Sequence, residues 1–191
     1  GSYEFAFFLK QIGFNIVSIA NNHILEQGSE GFQSTIKHLE NHQIKYIGKQ
    51  INNTSNIVTV ECNNLRIGFV GFNAIQDIQN PDLYANYSKE SILKLLKDMN
   101  EMNIDYKIIS IHWGDEFMNV PSLEQIQSAH KFIDKGADII VGHHPHVVQP
   151  VERYKNGLIF LIFCPFFKYC HVLKKTSLVK SLVSSVCLIL K

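Results

Sequence analysis

Five histidines and two asparagines occupy places in the chain where they could do chemistry. Asn21-Asn22-His23 follows the β-prone run at residues 15–20, and His112 follows Ile108-Ile109-Ser110-Ile111. His143, His144 and His146 follow Ile139-Ile140-Val141-Gly142. Each group stands just past an apolar run of strand length. In an open α/β sheet, ligands bind beyond the carboxyl ends of the strands. If these strands are parallel neighbours, the side chains converge. Imidazole is the commonest transition-metal ligand, and an asparagine amide oxygen can complete such a shell. Nitrogen and oxygen donors without thiolate suit Zn²⁺, Fe, Mn²⁺ or Ni²⁺ better than Ca²⁺ or a structural thiolate zinc site. Two adjacent ions in such a set would grip a phosphate or activate a hydroxide.

Each group also has a plainer reading. His144-Pro145-His146 could be a polar loop stiffened by its proline. His112 could be a strand-end histidine hydrogen-bonded beside Trp113. Asn22-His23 could cap the helix that follows. Asp115 and Glu116 could orient an imidazole or be surface acids. His38 and His42 read as a solvated helix face, and His130 as a packing residue in the stripe Leu123, Ile126, His130, Ile133.

The elements that must position these residues are legible in the apolar pattern. Phe5, Phe8, Leu9 and Ile12 share a helical face that ends at Gly13. Phe32, Ile36 and Leu39 form a second stripe, and Ile92, Leu95, Leu96 and Met99 a third. Residues 45–48, 106–111 and 138–141 read as strands. Residues 57–62 and 65–72 read as a hairpin across Asn63-Asn64. Residues 122–135 read as a helix, and 147–163 as a hairpin turning at Asn156-Gly157. Strands alternating with helices of 10–15 residues predict βαβ units and a mostly parallel sheet with antiparallel additions.

Composition narrows the function classes. The 191 residues are 46% hydrophobic and 18% charged, a globular mix rather than a disordered or fibrous one. A formal net charge of +1, and the absence from residues 1–152 of a basic patch interleaved with aromatics, give no electrostatic case for nucleic acid. GxGxxG, the P-loop and GxSxG are absent. The four cysteines, Cys62, Cys164, Cys170 and Cys187, have no CxxC spacing. The opening residues lack the charged and cleavage regions of a signal peptide, and no apolar run reaches the roughly 18 residues of a spanning helix. Charge is unevenly spread. Residues 1–152 carry 11 basic and all 17 acidic residues, a net of −6, whereas residues 153–191 carry 7 basic and none acidic, a net of +7.

Three segments together closely resemble the CapA-type capsule-synthesis, or poly-γ-glutamate synthesis, proteins of the calcineurin-like metallophosphoesterase superfamily. They are Val17-Ser-Ile-Ala-Asn-Asn-His23, Ser110-Ile-His-Trp-Gly-Asp-Glu116 and Ile140-Val-Gly-His-His-Pro-His-Val-Val-Gln149. The similarity runs from about residue 3 to 160. It implies an α/β fold: a metallophosphoesterase-like sandwich of mixed β-sheets flanked by helices, with two divalent ions (Mn, Fe or Zn) at strand ends in complete relatives. In that scheme Asn22, His112 and His144 hold one ion and His146 the second. His23 contacts phosphate and protonates a leaving group. Glu116 matches the family's acid after His-Trp-Gly, and His143 stands behind the ligands. The implied partners are an anionic polymer or phosphoester substrate and the capsule synthesis and export machinery, at the outward face of the cell envelope.

The family pattern also sets expectations at both ends. Relatives open with a Gly-Asp strand that this chain does not show. The expectation is therefore an incomplete domain over 1–160, one ion or none bound weakly, little hydrolysis, and an unpaired sheet edge. Residues 161–191 depart from the family as an apolar, cationic tail. They read either as a frameshift product or as a segment that adheres to membrane. The alternative to catalysis is a non-catalytic binding or scaffold component of an envelope polymer complex, or a fragment that does not fold alone.

Overall fold

The computed structural model describes residues 3–75 and 82–161. The 161–191 tail, apart from Leu161, lies outside them, and with it His171 and three of the cysteines. Within the described residues the elements run α1 (Tyr3–Gln11), β1 (Ile16–Ser18), α2 (Gly28–Asn41), β2 (Lys45–Ile47), β3 (Gln50–Ile51), β4 (Thr54–Ser55), β5 (Val58–Cys62) and β6 (Leu65–Asn73). Then come α3 (Lys89–Glu101), β7 (Tyr106–His112), α4 (Leu123–Asp134), β8 (Ile139–His143), β9 (Val151–Tyr154) and β10 (Gly157–Phe160).

The principal sheet has six strands in the order β5-β6-β7-β8-β10-β9. Its four central strands are parallel, and the outer two join antiparallel through hairpins. The β5–β6 hairpin turns at Asn63 and Asn64, both at positive φ, where asparagine is among the few residues that sit without strain. The second hairpin turns at Lys155-Asn156, one residue before the expected Asn156-Gly157.

Side-chain alternation divides the molecule into four layers. Val70, Phe72, Ile109, Ile111 and Ile140 face α3 and α4 and form the larger core with Leu96, Met99 and Phe132. The opposite face of the same strands carries Ile67, Phe69, Ile108, Ile139 and Val141, which pack on Ile16 and Ile47 of the parallel pair β1–β2. Behind that pair, Val17, Ile19 and Ile44 meet Phe32, Ile36 and Leu39 of α2. Gly71 lets β1–β2 come this close: a Cβ there would lie 3.1–3.2 Å from Ile47, Gly48 and Ser18. The sandwich expected from the sequence is thus present, as a helix–sheet–sheet–helix stack.

The helix starts follow their caps. Ser88 accepts from Ser91 N, and Ser122 with Gln125 completes a capping box for α4. Two predicted helix faces need correction. In α1 the buried residues are Ala6 and Leu9, whereas Phe5, Phe8 and Ile12 are about half exposed. In α4 the buried face is Gln125, Ser128, Ala129, Phe132 and Ile133, and Leu123 is exposed. His130 is half-buried, 2.8 Å from Glu152 and stacked on Tyr154. His38 and His42 are half-buried rather than solvated. The β3–β4 hairpin was not foreseen; its strands are two residues each, too short for a periodic signal.

Gly142 is the tightest point beneath the rim. A Cβ at this position would sit 2.0 Å from Leu161 O and 2.5 Å from Trp113 Nε1. Gly142→Ala must push backbone apart, so it should destabilise the domain by about 3 kcal/mol. Urea unfolding of the two proteins measures this, and an unchanged midpoint would refute the packing described.

Candidate metal centre

The three parallel strands β6, β7 and β8 end in one register, with Asn73 beside His112 and His112 beside His143. Parity then decides which way the last residues face. Ile108, Ser110 and His112 alternate onto the β1–β2 side of β7, as Val141 and His143 do on β8. The turn after β1 meets them there. Asn21 closes that turn by accepting His23 N at 2.9 Å, which leaves Asn22 to reach across. Its Oδ1 lies 2.9 Å from His112 Nε2. The plainer alternative, in which Asn22-His23 caps the next helix, is not what is found: α2 starts at Gly28 and its N-cap Gln27 makes no side-chain bond.

Behind His112, its Nδ1 is 2.6 Å from His143 Nδ1, and His143 Nε2 is 2.9 Å from Ser110 Oγ. In front, the His144 ring centre is 4.7 Å from that of His112 and 5.9 Å from that of His146. Glu116 Oε1 approaches His144 Nε2 at 4.0 Å and His146 Nε2 at 3.8 Å. Glu116, His144 and His146 each offer a ligand atom within 4.8 Å of the others. His144 therefore stands between an Asn22–His112 side and a Glu116–His146 side. Two backbone bonds stitch the loops that carry them, Trp113 N to His143 O and Phe117 N to Pro145 O. The loop is strained: φ is 113° at His144 and 60° at His146 and Phe117, a region L-residues seldom enter.

The electrostatics suit metal donors. Burial, reinforced by the neighbouring imidazoles, pushes His112 down to about 2. Burial, with His144, pushes His143 down to about 3. Burial lowers His144 as well, against an opposing pull from Glu116. All three are neutral at physiological pH, the form in which a ring nitrogen can bind a cation. His144 Nδ1 is buried without a hydrogen-bond partner, a cost of about 1–3 kcal/mol that a ligand would remove. The donor set thus fits a divalent transition ion.

His23 stands at the exposed mouth, its Nδ1 2.5 Å from Glu26 Oε1. Beside it, between α1, α2 and β1, opens a cleft of about 410 Å³ with apolar walls from Leu9, Val17, Ile19 and Ile24. Glu26 and Ser110 are the site residues that sequence reasoning missed. The His-x-x-Glu spacing across a turn was the available signal for Glu26. For Ser110, the signal was a hydroxyl two residues before His112 on a strand. Asn73, although in register with His112, spends its side chain on its own loop, bonding Ile75 N and O.

The family described as bacterial capsule synthesis protein PGA_cap matches residues 2–163. The capsule biosynthesis protein CapA of Bacillus anthracis is 36% identical over 163 residues, taking in 80% of this chain and 39% of that protein. The PGA biosynthesis protein CapA of Bacillus subtilis (strain 168) is 28% identical over 162 residues, 80% of this chain and 42% of that protein. The chain thus spans about two fifths of the length of these relatives. Among solved structures, Haemophilus influenzae NAD nucleotidase superposes with a TM-score of 0.58 at 14% identity, covering 83% of this chain and 35% of that one. The 5'-nucleotidase precursor of Thermus thermophilus gives 0.53 at 13%, covering 78% and 30%. At such identities the likeness concerns the fold alone, which is metallophosphoesterase-like. The chain belongs to the bacterial capsule synthesis protein family.

The buried neutral imidazoles make stability depend on pH. An unfolded chain protonates His112 and His143 below about 6.5, whereas the folded one does not until pH nears 3. Stability present above pH 6.5 is therefore lost as pH falls, by roughly 2–3 kcal/mol per pH unit for the pair. The thermal midpoint of metal-free protein should drop steadily between pH 6.5 and 4.5, above the range where ordinary carboxylates titrate. A flat midpoint over that window would contradict the neutral cluster.

Proposed function

We propose that this member of the capsule synthesis family acts in making or exporting an anionic capsular polymer of the poly-γ-glutamate kind at the cell envelope. In this reading it hydrolyses a phosphoester or acyl phosphate at a centre built on Asn22, His112, His144 and His146. The observation that carries the reading is the convergence of an amide oxygen, neutral imidazoles and one carboxylate at a single sheet rim. The capsule assignment is supported by what the relatives are called.

Asn22 Oδ1, His112 Nε2 and His144 would hold one divalent ion (Mn, Fe or Zn), and His146 with Glu116 would hold or orient a second. Such ions supply Lewis acidity toward a phosphoryl oxygen and charge to match the anion that develops. The chain's own residues do the rest. Glu26 holds the Nδ1 side of His23, so the ring presents Nε2 as the acid for the departing oxygen. The apolar cleft beside His23 takes the organic part of the leaving group. Trp113, buried below the rim, keeps water from the far side of the ligands. Among the described residues no helix is long and apolar enough to cross a membrane.

The test is metal content together with hydrolysis of p-nitrophenyl phosphate by the purified chain after loading with Mn²⁺ or Zn²⁺. His144→Ala should lose metal and turnover together. His23→Ala should keep its metal while turnover falls about 10²–10⁴-fold. Full metal content and turnover in His144→Ala would sink the reading.

A further inference from the structure

We propose that His143 and Ser110 form a buried hydrogen-bond relay behind His112 whose direction reverses when an ion is taken up. Two residues that never touch the ion would then help set its affinity. The proposal rests on the reading that Asn22 and His112 hold a metal.

The geometry is an unbroken chain of contacts: Asn22 Oδ1 to His112 Nε2 at 2.9 Å, His112 Nδ1 to His143 Nδ1 at 2.6 Å, and His143 Nε2 to Ser110 Oγ at 2.9 Å. His143 and Ser110 are each 1% exposed, so no solvent substitutes for a missing partner. An amide oxygen only accepts, and a neutral imidazole has one donor and one acceptor nitrogen. With Asn22 Oδ1 facing it, His112 Nε2 must carry the hydrogen and Nδ1 the lone pair. His143 Nδ1 must then donate, and its Nε2 must accept from the Ser110 hydroxyl. Every link has one donor and one acceptor, running from Ser110 toward Asn22.

An ion on His112 Nε2 needs the lone pair there. The ring hydrogen must then sit on Nδ1 and donate to His143 Nδ1. The His143 hydrogen must sit on Nε2 and donate to Ser110 Oγ. Each ring exchanges which nitrogen bears its hydrogen, and the Ser110 hydroxyl turns from donor to acceptor. Hydrogens balance. The one leaving His112 Nε2 goes to water at the rim, the His143 Nδ1 hydrogen passes to His112, and the Ser110 hydroxyl passes its own to His143 Nε2 and regains one from water admitted when the strand end opens locally. A hydroxyl is the one neutral side-chain group that serves both directions simply by rotating. An alanine at position 110 would leave His143 with an unpartnered buried N–H only in the ion-holding arrangement. His143 and Ser110 are therefore positioning residues, selective for the loaded state.

The test uses the full chain, labelled with ¹⁵N, and long-range ¹H–¹⁵N histidine spectra without metal and with Zn²⁺. Metal-free protein should show hydrogen on His112 Nε2 and His143 Nδ1, and zinc should move both to the other nitrogen. Zinc titration should show Ser110→Ala binding about 10-fold or more weakly with an unchanged circular dichroism spectrum, and Ser110→Thr recovering the affinity. Zinc binding with the His143 hydrogen still on Nδ1 would overturn the relay alone, as would wild-type affinity in Ser110→Ala. Failure of the wild-type chain to take up zinc would overturn the metal reading and the relay with it.

Discussion

The backbone ladder that joins β6, β7 and β8 carries the rest of the structure. Because the three strands are parallel and end in one register, the final residue of each arrives at the same rim. Because a strand alternates faces, Ser110, His112 and His143 all turn toward the β1–β2 layer rather than toward α3 and α4. A slip of one residue in β7 would send His112 among the helices and bring Ile111 to the rim. The long apolar runs Ile108–Ile111 and Ile139–Val141 resist that slip, since both faces of the sheet are packed. The polar residues of the site are thus held in place by apolar ones several positions earlier.

That arrangement has a thermodynamic cost, which the cluster only partly offsets. Burying imidazoles among imidazoles favours the uncharged forms, so the folded state forgoes protonation that the unfolded chain would accept. The chain compensates where it can. His112 and His143 satisfy each other, Asn22 and Ser110 terminate the series, and two backbone bonds fasten the strained loop. At His144 the compensation stops, with a buried unpartnered nitrogen on a residue at positive φ. Uncompensated polar groups and strained backbone at one residue are what a domain retains when the gain comes from something it binds.

Much of this was legible in the sequence, and the misses have physical causes. The strand ends and the Asn63-Asn64 turn could be read because apolar runs and paired asparagines are local signals. The convergence of Asn22, His112 and His144 could be expected because parallel strands present their carboxyl ends together. The faces of α1 and α4 could not be read from their stripes. An apolar residue at the right period says only that a face exists, and Leu123 and Phe8 lie on the solvent side because neighbouring elements do not reach them. Glu26 escaped notice because a turn, not a helix, brings it to His23. Ser110 escaped because a buried serine inside an apolar strand looks like packing until its partner across the ladder is known.

The likeness to nucleotidases and the family membership carry different information about the chain. At 13–14% identity the nucleotidases share the layered scaffold, and a scaffold fixes where strand ends meet, not what they do. What distinguishes one occupant of such a scaffold from another lies at the strand ends and in the loops after them, and here those carry Asn22, His112, His144 and His146. The rim is also asymmetric. On its Asn22–His112 side His112 is buried, Asn22 is half-buried and the two are joined by hydrogen bonds to His143 and Ser110, while Glu116 and His146 are about half exposed and held mainly by the strained loop. The Glu116–His146 side is the yielding one, where the fewest bonds resist a change in the loop's shape.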